Sequence, residues 1–160
     1  MTRAQRAVVI ALRALGVLLV LAPFLPPILR KLGLSSAAEA LDAPWTLTCH
    51  RLPDRTMELL GSKMPMCSRC TGIVTGLGLG LAIGRPYRGP NVLWACVAIA
   101  SALLVLELLT QEWGWHPVWH PTRLLTGFLL AYPVAAAVTA LARRRPGETL
   151  AEPEHPKRET

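Results

Sequence analysis

Four apolar stretches, each close to the length of helix that crosses a bilayer, limit what this chain can become. A hydrocarbon core about 30 Å thick takes about 20 residues of helix. The stretches run over residues 7–27, 66–84, 91–110 and 122–142. Lipid offers backbone groups no water to bond, so a lone spanning segment must bond internally, as a helix. The expected fold is all-α: a polytopic membrane protein, a four-transmembrane-helix bundle with a Cys/His-containing first loop. Arg13 lies near enough to the start of the first stretch for its side chain to reach back to the interface. Pro23, Pro26 and Pro27 are expected to end that stretch, while Pro133 is tolerable in a helix packed among neighbours.

Composition agrees. Of 160 residues, 52% are apolar and 17% charged, too apolar for one small buried core and less charged than the roughly one quarter of an average soluble domain. The net charge of +7 does not point to nucleic acid, because Lys and Arg gather at the ends of the apolar stretches and form no polar face. The partner implied is the lipid bilayer. Residues 1–145 form the membrane domain in this reading. From Pro146 onward, over residues 146–160, the chain is polar and rich in Pro and Glu, the composition of a disordered tail. Ala38-Glu39-Ala40 also has the small-x-small form of a signal-peptide cleavage site. It lies far beyond an apolar stretch long enough to span, and the uncleaved reading is preferred.

Four spans put the first and third connections on one side of the membrane. Arg3, Arg6, Arg13, Arg85, Arg88, Arg143, Arg144 and Arg145 fall on the opposite side, with no acid close by. The first loop carries Arg30, Lys31, Arg51, Arg55 and Lys63 but also Glu39, Asp42, Asp54 and Glu58. The positive-inside tendency then makes both termini of this multi-pass protein cytoplasmic, in a cytoplasmic (inner) membrane. In the second stretch Gly72, Gly76, Gly80 and Gly84 recur every four residues and share a face, suited to close helix packing within the chain or to a homodimer or other membrane-protein partner. Gly78 lies on another face and reads as flexibility.

The side shared by the two connections collects chemistry. Cys49 and His50 stand in the first loop, Cys67 and Cys70 open the second stretch, and His116 and His120 lie in the third connection among Trp113, Trp115 and Trp119. Cys-x-x-Cys lets two sulfurs face one centre, and thiolate with imidazole suits zinc or another transition metal, held by four such ligands. Cys49, Cys67 and Cys70 are the expected ligands. His50 is the fourth ligand or orients one, with His116 or His120 as substitutes. The two His-Pro pairs among tryptophans equally fit an interfacial aromatic belt. Cys96, in an apolar helix, reads as a small core residue.

Other readings use the same atoms. A helix start and Arg69 favour a thiolate at Cys67, which fits a thiol-disulfide oxidoreductase exchanging with Cys49 and passing electrons to a quinone. A disulfide staple in a structural or assembly protein is the third reading. Arg55 and Arg69 are expected to raise thiolate character and anchor the loop. Glu107 and Gln111, four apart, are placed to meet Arg69 or Arg123. The chain carries no nucleotide-binding loop, no Ser/His/Asp arrangement and no paired-His motif of a zinc protease.

Cys49-His50-Arg51-Leu52-Pro53-Asp54-Arg55, followed by Met64-Pro65-Met66-Cys67-Ser68-Arg69-Cys70-Thr71-Gly72, resembles the signature of the domain of unknown function 2085 family. Glu107 to Gln111 and Arg123 to Gly127 are similar to its later, weaker motifs. The resemblance implies a small bacterial integral membrane protein and brings no activity with it. Arg51 stands where the family often has Gln, and Thr56 where it often has Ser. The segment His120-Pro121-Thr122 also departs from the family pattern, so the resemblance lends no role to His116 or His120.

Overall fold

A computed structural model of the chain describes residues 2–84, 90–115 and 117–143. The expected tail over 146–160 and the cationic positions Arg85, Arg88, Arg144 and Arg145 lie outside the described residues. Six α-helices are present among those described: α1 (Arg3–Leu21), α2 (Leu25–Lys31), α3 (Ser35–Thr46), α4 (Ser68–Ile83), α5 (Pro90–Glu112) and α6 (His120–Arg143). Between α3 and α4 lie a single 3-10 turn (Pro53–Arg55) and a minimal antiparallel hairpin of β1 (Glu58–Leu59) and β2 (Ser62–Lys63). Leu60 and Gly61 turn that hairpin with φ of 56° and 80°, the left-handed conformation that a two-residue turn demands and that glycine adopts at least cost.

α1, α5 and α6 are long and apolar enough to cross a membrane. α4 is shorter: its 16 residues extend about 24 Å at about 1.5 Å each. α1 starts at Arg3, four residues ahead of the expected first span, because Thr2 and Gln5 form a reciprocal capping box. It also stops at Leu21, short of the expected Pro27. Pro26 and Pro27 do not end a helix but occupy the first turn of α2, where a missing N–H costs nothing. Only 11% of the apolar stretch of α1 and of α5 is buried within the protein, the exposure expected of helices whose remaining contacts are with lipid.

α4 lies between α6 on one side and α1 on the other. The glycine face meets α6 backbone to backbone: a Cβ on Gly72 would strike the Leu124 carbonyl, one on Gly76 would come within 2.7 Å of Phe128 O, and one on Gly80 within 2.6 Å of Tyr132 O. Gly84 completes the row against Ala136, at 2.7 Å from its Cβ. Contacts advance together along both helices, so α4 and α6 run parallel. Gly78 faces α1, where its Cβ would lie 2.7 Å from Gly16 O. Close packing of two glycines, and not flexibility, is its role. α5 returns antiparallel along α6, carrying Glu107 to Thr126. Each of the four longer helices thus runs antiparallel to the next in sequence. The start of α4, the end of α5 and the start of α6 gather at one end of the bundle.

Candidate metal centre

Sequence and local geometry bring three cysteines to that end. α3 ends at Thr46, and the Cys49 amide donates to Trp45 O at 3.0 Å, so Cys49 leaves the helix in a fixed turn and is buried. The buried Met64, Pro65 and Met66 then lead to Cys67, which has the extended backbone of an N-cap residue, and α4 places Cys70 one turn later. The Sγ atoms of Cys49, Cys67 and Cys70 all lie within 4.8 Å of one another. The three sulfurs are not bonded to one another. An ion bonded to each sulfur at about 2.3 Å would set them about 3.8 Å apart, so closure by about 1 Å suffices.

The surroundings of Cys67 favour its charged form. The Cys67 amide donates to Cys49 Sγ at 3.3 Å. The Cys67 thiol, just ahead of α4, is drawn down to about 5: the Cys70 thiol donates to it, outweighing burial, and the Cys70 amide, the Cys49 thiol and the Arg69 amide add to the effect.

His50 is exposed and lines the same small cavity as the three cysteines, outside the group of mutually close ligand atoms. His116 lies outside the described residues. His120 turns to Ser68, its Nδ1 3.3 Å from the hydroxyl. Ser68 in turn donates to Arg55 O at 3.4 Å, so this fully buried serine ties the cysteine loop, α4 and α6 together. Trp113, Trp115 and Trp119 are exposed at the same end, as an interfacial belt requires. Cys96 is remote from the cluster in chain and contact, lining a small apolar cavity with Ile99 and Tyr132.

Two ionic networks hold the site, and only one was readable in advance. Asp42, 6% exposed on α3, accepts from both Arg30 of α2 and Arg51 of the cysteine loop, the latter at 3.0 Å. Arg30 also donates to Lys63 O at 3.2 Å, fastening the hairpin. Arg51 adopts φ of 50°, a left-handed conformation that costs an L residue about 1–2 kcal/mol. The second network centres on Glu107, which lies well inside α5 because that helix continues to Glu112. Arg69 donates to Glu107 Oε2 at 3.2 Å, Thr126 to the same oxygen at 2.8 Å, and Gln111 to Oε1 at 3.1 Å. Arg123, 2% exposed, donates from Nε to Gln111 Oε1 at 3.1 Å and stands 3.8 Å from Glu107. Arg69 therefore bonds to α5, and its amide, not its guanidinium, contributes to the state of Cys67. Asp42, Arg30, Ser68 and Thr126 had no part in the site as read from sequence: the first two read only as loop charges, and the last two only as members of the family-like segments.

The segment that builds this arrangement is also what the chain shares with known proteins. The profile of the family described as "predicted membrane protein (DUF2085)" matches residues 49–137, from the first cysteine of the cluster well into α6. The chain belongs to that family. An uncharacterized protein of Methanocaldococcus jannaschii is 30% identical over 122 residues, covering 69% of this chain and 77% of its own. A second, from Methanothermobacter thermautotrophicus, is 57% identical over 83 residues, 49% of this chain and 73% of its own. Both relatives are archaeal, so the family is not confined to bacteria as the sequence resemblance implied. No solved structure matches the chain.

Proposed function

We propose that this is a four-span membrane protein whose function centres on a transition-metal thiolate site formed by Cys49, Cys67 and Cys70 at the membrane surface, with zinc the first metal to test. The observation that carries the reading is the approach of three sulfurs to within 4.8 Å from segments 18 and 21 residues apart in sequence (67 − 49 and 70 − 49). Three unbonded sulfurs drawn together match the donor set that soft and borderline metals select. A metal bound there would supply Lewis acidity or a structural clamp. The chain's own part is to converge the sulfurs and hold the loop through Asp42, Ser68 and the Arg30 bridge.

Support for α4 as the fourth span comes from its parallel course along α6 and antiparallel course along α1. With four spans both termini share a side and the cysteine loop shares the other with the α5–α6 connection, a grouping that the His120–Ser68 and Arg55–Glu112 contacts support. The charge distribution makes that second side extracytoplasmic, in a cytoplasmic membrane. Metal analysis with thiol counting on detergent-purified protein tests the site. One equivalent of metal and three protected thiols are expected, with the metal lost in Cys67→Ser; a metal-free protein with Cys67 bonded to Cys70 would refute it.

That refuting result is what a second reading predicts, a quinone-linked thiol oxidoreductase. It is favoured by the low Cys67 value and by an apolar cavity of about 590 Å³ between α5 and α6 that reaches Glu107, the partner of Arg69. Two electrons and two protons would leave the Cys67–Cys70 dithiol, giving a disulfide, and convert a quinone to its quinol.

A further inference from the structure

All three cysteines line one cavity of about 220 Å³, so an ion held between the sulfurs would sit at its wall. Among the described residues no fourth His, Cys, Asp or Glu has a ligand atom close to all three sulfurs. With Cys49, Cys67 and Cys70 as the whole set of protein ligands, one position of a tetrahedral ion stays open, the arrangement of sites that bind something beyond the protein. A divalent ion with three thiolates carries a formal charge of −1, which repels a further anion unless cations line the approach. Here the titratable residues around the cavity, apart from the cysteines, are His50, Arg51 and Arg55, all basic.

The state of these cations matters. Arg51 shares Asp42 with Arg30, so two guanidinium groups face one buried carboxylate and one positive charge is left over. The Arg55 side chain is 39% exposed, and among the described residues its ionic partner is a distant one, Glu112 at 3.8 Å. An exposed pair at that separation contributes little and yields readily to a competing anion. The Arg51 backbone is held in its left-handed conformation beside this cavity.

Resting on the metal reading above, we propose that the three-sulfur centre takes a small carboxylate as its fourth ligand, with Arg55 and Arg51 binding the carboxylate from the cavity side. A guanidinium forms two parallel hydrogen bonds to such a group, and an azide or chloride ion offers it no equivalent. The volume suits this class. At about 30 Å³ per water the cavity has room for about seven waters, enough for a carboxylate of acetate to succinate size.

The test uses full-length protein in detergent loaded with Co(II), whose visible spectrum reports the ligands around the ion. Acetate is added at constant ionic strength, with perchlorate as the non-coordinating control. The expected result is a saturable shift in the cobalt bands with acetate and none with perchlorate. In Arg55→Gln the half-saturating concentration should rise at least about threefold, with cobalt still bound one to one, and Arg55→Lys should recover only part of the loss. Cobalt bound one to one with a spectrum that acetate does not move would overturn the inference while leaving the metal reading intact. So would a spectrum that moves only when His50→Ala or His116→Ala is introduced, because that histidine would then hold the fourth position. A protein that binds no cobalt would overturn the metal reading, and this inference with it.

Discussion

Replacing Glu107 by Gln is expected to destabilise the helix bundle by about 3 kcal/mol. In the native protein one carboxylate, 8% exposed, stands between Arg69 and the nearly inaccessible Arg123. It also accepts from Thr126 and Gln111. The amide has the same shape and keeps an oxygen for one or two of these donors, but removes the carboxylate that, among the described residues, pairs with two largely buried guanidiniums. Removing one partner of a buried pair costs about 3–5 kcal/mol, and the retained hydrogen bonds put this change at the lower end. The assay is equilibrium unfolding in mixed micelles, followed by helical circular dichroism, of wild type, Glu107→Gln, Arg69→Gln and the double variant. Removing Arg69 as well relieves one of the two uncompensated charges, so the double variant should be less destabilised than the sum of the singles by at least about 1 kcal/mol. Additive effects, or a Glu107→Gln loss under about 0.5 kcal/mol, would refute a buried ionic hub.

Three other predictions rest on separate features. Gly76→Leu should cost at least about 2 kcal/mol in the same unfolding assay, because even its Cβ would lie 2.7 Å from Phe128 O and the helices would have to part; unchanged stability would mean that α4 and α6 do not pack through glycine. Arg51→Ala and Arg51→Gly both lose the Asp42 pair, but glycine tolerates the φ of 50°, so the glycine variant should be more stable by about 1 kcal/mol. Cys96→Ser, remote from the cluster, should leave the metal content unchanged, whereas Cys49→Ser should abolish it by direct metal analysis.

How much of this was visible in the sequence depends on whether the physical cause lies within a segment or between segments. The long apolar helices were legible because lipid contact needs continuous apolarity, which survives in one dimension. Their ends were less so. Pro26 and Pro27 looked like terminators and proved to be a helix start, since proline is excluded from helix interiors but suits the first turn. The row from Gly72 to Gly84 was legible as a face, and the sequence even suggested Arg69 and Arg123 as partners of Glu107 and Gln111. Gly78 was misjudged because its partner, Gly16, is a lone glycine on another helix.

At the site, the Cys-x-x-Cys spacing and the upstream Cys49 pointed to one centre, and the three sulfurs do converge. His50 could not be assigned from sequence, because neighbouring side chains leave the backbone in different directions. Asp42 is the clearest omission. Its importance comes from two arginines, 12 residues before it and 9 after, that meet it only once α2, α3 and the loop have packed.

The central claim is that Cys49, Cys67 and Cys70 grip one metal ion together. X-ray absorption at the zinc edge of the zinc-loaded protein counts the sulfur neighbours directly. Three sulfurs at about 2.3 Å are predicted. A shell with fewer than three sulfurs in the wild-type protein would contradict the account.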